Sequence, residues 1–148
     1  MPSIGASGRN TMKRIVRRCV DVVVSGVVLL VTLPILLLAA LALKLTSPRD
    51  PVIVRETRLG SRGEPFELLG LRCADSDDRV TALGRILRGC SIDELPQWWN
   101  VFRGDMSIVG PRPYDPAYDL PDPDSDTDPS RELLPGLTGT WGTKRRAS

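Results

Sequence analysis

Asp93 and Glu94 stand side by side in the segment S-I-D-E-L-P-Q, residues 91–97. Arg88 lies just before the pair, and Arg112 follows inside P-R-P, residues 111–113. Carboxylate oxygens can hold a hard cation, and an arginine fork can hold a phosphate. The same residues also have structural readings. Ser91 with Glu94 three positions on is the capping-box pattern. Alternatively a helix begins near Asp93, which makes Asp93 the N-cap and puts Pro96 in the tolerated first turn. Either way both acids lie at the positive end of a helix, which favours their ionised forms. Arg88, near the end of a short helix, complements the negative end of that helix dipole. Arg112 has its backbone restricted by proline on both sides, whether it meets a phosphate or only solvent. Asp105 reads equally as an Asx-turn residue or as a site acid.

The composition narrows the chemistry. There is no histidine among the 148 residues, which removes Ser-His and Cys-His catalysis and His-bound metals. The three cysteines, Cys19, Cys73 and Cys90, lack paired C-x-x-C spacing and read as free thiols in a reducing cytosol. Any metal must therefore be held by oxygen, which points to a hard cation such as Mg²⁺. The net charge is only +2, but it is unevenly spread. Arg9, Lys13, Arg14, Arg17 and Arg18 make the N-terminus basic, whereas Asp115 to Glu132 holds seven acids and one base. That distribution argues against a nucleic-acid partner.

Residues 22–43, VVVSGVVLLVTLPILLLAALAL, are 22 residues without a charge. About 20 suffice to span a bilayer, so membrane contact is expected, with residues 9–21 as a basic lead-in helix that meets anionic headgroups. The apolar run is longer than a signal peptide's and no small-x-small site follows it before Lys44, which argues against cleavage. Pro34 removes a backbone hydrogen bond and crowds the carbonyl of Leu30. Thr32 and Ser25 are candidates to satisfy freed backbone groups. Basic residues flank both ends, so the charge rule sets no orientation. A spanning helix and a bent helix that enters and leaves by one face both remain open.

The soluble part begins as a β-hairpin over 52–72, with turn residues L-G-S-R-G-E-P between two strand-like runs. Residues 79–88 are expected to form a short helix, with Val80, Leu83 and Leu87 on one face. Trp98, Trp99 and Phe102 follow as either core or an aromatic membrane belt. Residues 115–132 are rich in acid and proline and are expected to be disordered. Their D-x-D-x-D spacing is not a calcium loop, because Thr127 and Leu133 replace the required Gly and Glu.

Together these pieces resemble the bacterial sugar transferases, the monotopic polyprenyl-phosphate phosphoglycosyl transferases. The match runs from about Lys13 to Thr140 and is densest from Arg88 to Pro113. It rests on Ser91 to Gln97, Asn100-Val101, Gly104 to Ser107, and Val109 to Pro113. Weaker matches are Leu45 to Pro48, Arg55, Arg58 with Gly60, Pro65-Phe66, Arg72, and Pro135 to Gly139. The resemblance implies transfer of a sugar 1-phosphate from a UDP-sugar to polyprenyl (undecaprenyl) phosphate, with release of UMP. Such a product would initiate polysaccharide or glycan synthesis. Asp93 matches the nucleophile of a covalent aspartyl-phosphosugar intermediate, and Glu94 matches the ligand of Mg²⁺. Arg88 matches a phosphate-site arginine, while Pro111, Arg112, Pro113 and, more weakly, Arg72 match substrate-binding positions.

The implied fold is α+β and mainly helical. A re-entrant membrane helix broken at Pro34 would join a small hairpin and short helices in a compact domain on the cytoplasmic face of the inner membrane. The expected organisation is a flexible N-terminus (1–12), basic lead-in and membrane helix (13–47), catalytic core (48–113), acidic loop (114–132) and short C-terminal remnant (133–148). A homodimer is compatible with this scheme. Several positions depart from the family pattern. Leu33-Pro34 replaces Ser-Pro, Gly70-Leu71 stands where Lys and Phe are usual, and Cys73-Ala74 replaces a small polar residue and Met. The acidic run after Tyr114 and the end soon after Trp141 also differ. A compact enzyme, a shortened one, and a catalytically weak membrane scaffold or regulatory homologue are the alternatives these departures raise.

Overall fold

A computed structural model describes residues 4–116 and 133–139, with side chains from Met12 onward. Most of the acidic segment and of the C-terminal remnant lies outside the described residues. The chain is α+β. Helix α1 (Ile4–Thr46) is followed by strands β1 (Ile53–Leu59) and β2 (Pro65–Leu71), then helices α2 (Ala82–Gly89) and α3 (Gln97–Arg103), and strands β3 (Ser107–Val109) and β4 (Gly136–Thr138).

Helix α1 has 43 residues and contains Pro34. Its helical assignment runs through Pro34 without interruption. The expected hydroxyl partners bond elsewhere than the crowded Leu30 carbonyl: Thr32 donates to Val28 O (2.7 Å), and Ser25 to Asp21 O (2.6 Å) and Val22 O (3.2 Å). Such back-bonding lets a hydroxyl sit in an apolar helix and bends it slightly. From Met12 to Thr46 the helix is long and apolar enough to cross a membrane, and most of that face is bare.

The soluble part touches α1 along a stripe at three- and four-residue spacing, the spacing of one helix face. Arg18, Asp21 and Ser25 lie on the N-terminal side of Pro34; Leu36, Ala39 and Leu43 lie on its C-terminal side. Ala39 and Leu43 join Leu71, Cys73 and Leu87 in the buried core, with Leu36, Val52, Leu83 and Ile92 packed around them. Between the two contact zones Leu30, Val31, Leu33 and Ile35 are exposed. At the end of α1, Lys44 Nζ donates to Pro48 O and Asp50 O (both 3.2 Å) and turns the chain towards β1.

The expected hairpin is present. β1 and β2 pair antiparallel from Ile53↔Leu71 to Leu59↔Pro65. The helix expected over 79–88 starts later, because Thr81 caps it: its hydroxyl accepts from Gly84 N at 2.9 Å. Gly84 itself lies against the end of β2, where a Cβ would stand 1.9 Å from Cys73 O. Only glycine allows that approach.

Candidate active site

The segment between α2 and α3 differs from the capping readings. Ser91 adopts a left-handed conformation (φ 55°) and makes no capping hydrogen bond. The chain reverses there, and Ile92–Glu94 form a separate 3-10 turn. Helix α3 starts after Pro96, which occupies the N-cap position without a side-chain cap. Neither carboxylate therefore caps α3. The turn instead presents both to a cavity of about 580 Å³.

Asp93, Glu94, Arg88, Arg112 and Pro113 all line this cavity. Glu94 and Arg112 are exposed and make no ion pair or hydrogen bond with another described residue, so both have coordination capacity to spare. Arg58 also reaches the cavity wall, where it pairs with Glu56 and Asp115 (both 2.7 Å). Two predicted residues are not among the lining groups. Pro111 lies beside the cavity and contributes a carbonyl to the fold: Gly136 N donates to it at 2.8 Å. Arg72 is buried at 8% exposure, with Nη1 in a charge contact with Asp50 at 2.5 Å. Neighbours in an extended chain point to opposite sides: Leu71 and Cys73 reach the cavity, whereas Arg72 braces the turn after α1.

The P-R-P loop is tethered at both ends. On one side β3 pairs in parallel with β4, Ser107↔Gly136 and Val109↔Thr138, and Gly110 N donates to Thr138 O at 3.0 Å. On the other, Tyr114 and Leu59 exchange backbone bonds of 2.9 and 3.1 Å. Gly136 is required here, since a Cβ would lie 2.0 Å from Gly110 N. Asn100, 1% exposed, fixes α3 to β2. It accepts from Leu69 N (3.1 Å) and donates to Glu67 O (2.7 Å) and Asp105 Oδ2 (3.2 Å). Asp105 also pairs with Arg103 at 2.7 Å, so its observed contacts are structural.

Two wall residues carried no site reading in the sequence. Cys73 is 5% exposed, close to Asp93 and Arg88. Burial, then the negative charge of Asp93, pushes its thiol pKa up, while Arg88 opposes the shift. Gly70, noted only as a missing cation, lies beside the Asp93 backbone, where a Cβ would stand 3.4 Å from Asp93 O. A longer side chain there would enter the acid pair's surroundings. Cross-strand placement makes both residues part of the site, and linear spacing gave no sign of it.

The arrangement is a small α+β domain closed on one long apolar helix, with paired acids facing arginines in an open cavity. The model of the bacterial sugar transferase family matches residues 12–148. This chain belongs to that family. It is 51% identical over 116 residues to the UDP-glucose:undecaprenyl-phosphate glucose-1-phosphate transferase of Caulobacter vibrioides, covering 70% of this chain and 43% of that protein. The protein of the same name from Escherichia coli is 42% identical over 120 residues, covering 72% and 26%. The undecaprenyl-phosphate galactose phosphotransferase of Salmonella typhimurium is 31% identical over 161 residues, covering 90% and 33%. The chain thus spans less than half the length of each of these relatives.

Proposed function

We propose that this chain transfers a sugar 1-phosphate from a UDP-sugar to undecaprenyl phosphate at a membrane surface. The observation that carries the reading is the shared cavity of Asp93, Glu94, Arg88 and Arg112 in a member of this family. Asp93 is the nucleophile. Its carboxylate oxygen bonds to the β-phosphorus while the bond from that phosphorus to the bridging oxygen breaks. UMP leaves with the bonding electron pair. An oxygen of the lipid phosphate then attacks the same phosphorus, the Asp93–phosphorus bond breaks, and the carboxylate is restored. The two steps are a covalent catalysis of the aspartyl-phosphate kind.

Arg88 and Arg112 hold the diphosphate and offset its charge. Tethering of the P-R-P loop at both ends fixes where Arg112 can reach. Glu94 fits Mg²⁺: it is an exposed oxygen donor with no ion pair or hydrogen bond to another described residue, and Mg²⁺ commonly takes one or two carboxylates with substrate phosphates supplying further oxygens. When bound, Mg²⁺ would neutralise diphosphate charge as the carboxylate approaches.

The membrane geometry follows the contact stripe on α1. A spanning helix would separate Asp21 and Leu43 by about 33 Å, more than the roughly 30 Å hydrocarbon thickness. One soluble domain cannot rest outside the bilayer and bind both ends of such a span. Contacts on both sides of Pro34, with bare apolar side chains between, support a re-entrant helix whose ends share the cytoplasmic face. Trp99 and Phe102 stack with centroids 5.6 Å apart and are exposed, and Phe102 lies against Gly26 of α1. That location suits an aromatic belt.

The test is UMP release from the membrane-bound chain with undecaprenyl phosphate, Mg²⁺ and a panel of UDP-sugars led by UDP-glucose. Asp93→Asn should lower release by at least about 10³-fold, the scale of losing a nucleophile. Wild-type release that survives unchanged in Asp93→Asn removes the mechanism. No release from a folded, membrane-bound chain on any sugar favours the scaffold alternative.

A further inference from the structure

Arg58 and Arg112 both line the acid–arginine cavity, but they are held differently. Arg58 Nη2 donates to Glu56 Oε2 and Nη1 to Asp115 Oδ2, both at 2.7 Å. Arg112 is exposed and makes no such bond with another described residue. We infer that Arg58 is a positioning residue: its clasp on Asp115 holds the P-R-P loop against the hairpin, so that Arg112 is aimed at the diphosphate. The inference rests on the reading of this cavity as a nucleotide-sugar site.

The sequence of the loop makes such a clasp necessary. Pro111 and Pro113 carry no N–H, so between Gly110 and Tyr114 only Arg112 has a backbone donor. A ladder of hydrogen bonds cannot run through that segment, and it is held at its ends. At the first end, Gly110 N donates to Thr138 O at 3.0 Å and Gly136 N to Pro111 O at 2.8 Å. At the second, Leu59 N donates to Tyr114 O at 2.9 Å and Tyr114 N to Leu59 O at 3.1 Å. Leu59 and Tyr114 form an antiparallel bridge. One step further along, Arg58 and Asp115 are therefore directly opposed, and their ion pair is the cross-strand pair that extends the bridge. It is the one part of this end that a side-chain substitution can release.

The same bonds make Arg58 a poor phosphate ligand. Each of its terminal nitrogens meets a carboxylate, so turning one towards a phosphate would break a charge-assisted bond. The side chains of Arg58 and Asp115 are 22% and 23% exposed, and water screens such a pair less than one on the open surface. Glu56 lies two residues before Arg58, on the same face of β1, and steadies the guanidinium from the other side. Arg55, by contrast, pairs with Glu67 at 3.1 Å and is not part of the cavity wall.

The test is calorimetric titration of UDP into the detergent-solubilised full chain, with amide hydrogen exchange on the same samples. Arg58→Gln and Asp115→Asn should each weaken UDP binding about fivefold. Both should speed exchange at the Tyr114 amide and leave the Gly110 amide unchanged. Arg112→Gln alone should cost about 30-fold. Adding Arg58→Gln to it should cost little more, because a residue that acts through Arg112 then has nothing to aim. Arg55→Gln should bind UDP as the wild type does. A direct phosphate contact by Arg58 predicts otherwise: additive losses in the double variant, and tighter binding in Asp115→Asn, where a repelling carboxylate is neutralised. Either result would overturn the positioning role, as would wild-type affinity in both single variants. No UDP binding by the wild type would remove the nucleotide reading of the cavity and this inference with it. Should Arg58→Gln fail to fold, Asp115→Asn supplies the same comparison.

Discussion

At the scale of single residues, Cys73 links the core to the proposed chemistry. It belongs to the buried cluster and also lies beside Asp93 and Arg88. Removal from water disfavours the thiolate, and the Asp93 carboxylate disfavours it further. The folded-state pKa is therefore above the ordinary 9.0. Below that value both folded and unfolded thiols are protonated, and the contribution to stability is fully present. As pH rises past 9.0 the unfolded chain loses its proton first, so stability falls until the folded value is passed. Urea unfolding of the wild type should show an extra alkaline loss that Cys73→Ala lacks. Parallel curves would mean that the thiol titrates alike in both states. Glu94 and Arg112 differ from Cys73 in that both are exposed and make no hydrogen bond or ion pair with another described residue.

At the scale of elements, the main device is the polar seam between α1 and the end of α3 with β3. Arg18 satisfies carbonyls at the C-terminal end of α3, where cations are favoured. Asp21 holds Ser107 and Ile108, immediately ahead of the P-R-P loop. Ser107→Ala removes one of the two bonds to a buried carboxylate and should cost about 1–3 kcal/mol. Asp21→Ala should cost more, because it leaves Ser107 Oγ and Ile108 N without their acceptor. In a double-mutant cycle the two changes should be coupled by about 0.5–3 kcal/mol; additive losses would show that the hydrogen bond carries no stability. This seam was illegible in the sequence. Its partners are more than 80 residues apart, and Arg17 and Arg18 read locally as lipid-facing charges. The hairpin was legible because its turn residues and strand runs are local. The Asp93-Glu94 segment was legible as a motif but not as a shape, since the left-handed Ser91 replaced the expected cap with a reversal. The placement of Arg72 away from the cavity wall was illegible for a related reason: a motif position does not say which side of a strand end faces the cavity.

At the scale of the whole molecule, the question is how so small a domain relates to a bilayer. The uncharged run is long enough to span, and composition alone permits either geometry. The proposed re-entrant geometry rests on the domain's contacts with α1 on both sides of Pro34. Arg18 and Asp21 engage α3 and β3, while Ala39 and Leu43 are buried with Leu71, Cys73 and Leu87. Pulling either end to the opposite membrane face would expose that core or strip the buried carboxylate of its donors. A cysteine-free chain carrying Met12→Cys, Leu30→Cys or Ser76→Cys tests this in sealed inside-out vesicles. On the re-entrant reading, positions 12 and 76 should both react with a membrane-impermeant maleimide added outside, since both are exposed. Position 30, 74% exposed in the protein, should stay unlabelled until detergent removes the lipid. Labelling of position 76 without position 12 would instead place the two ends of α1 on opposite faces, and the seam at Asp21 would then have to open in the membrane.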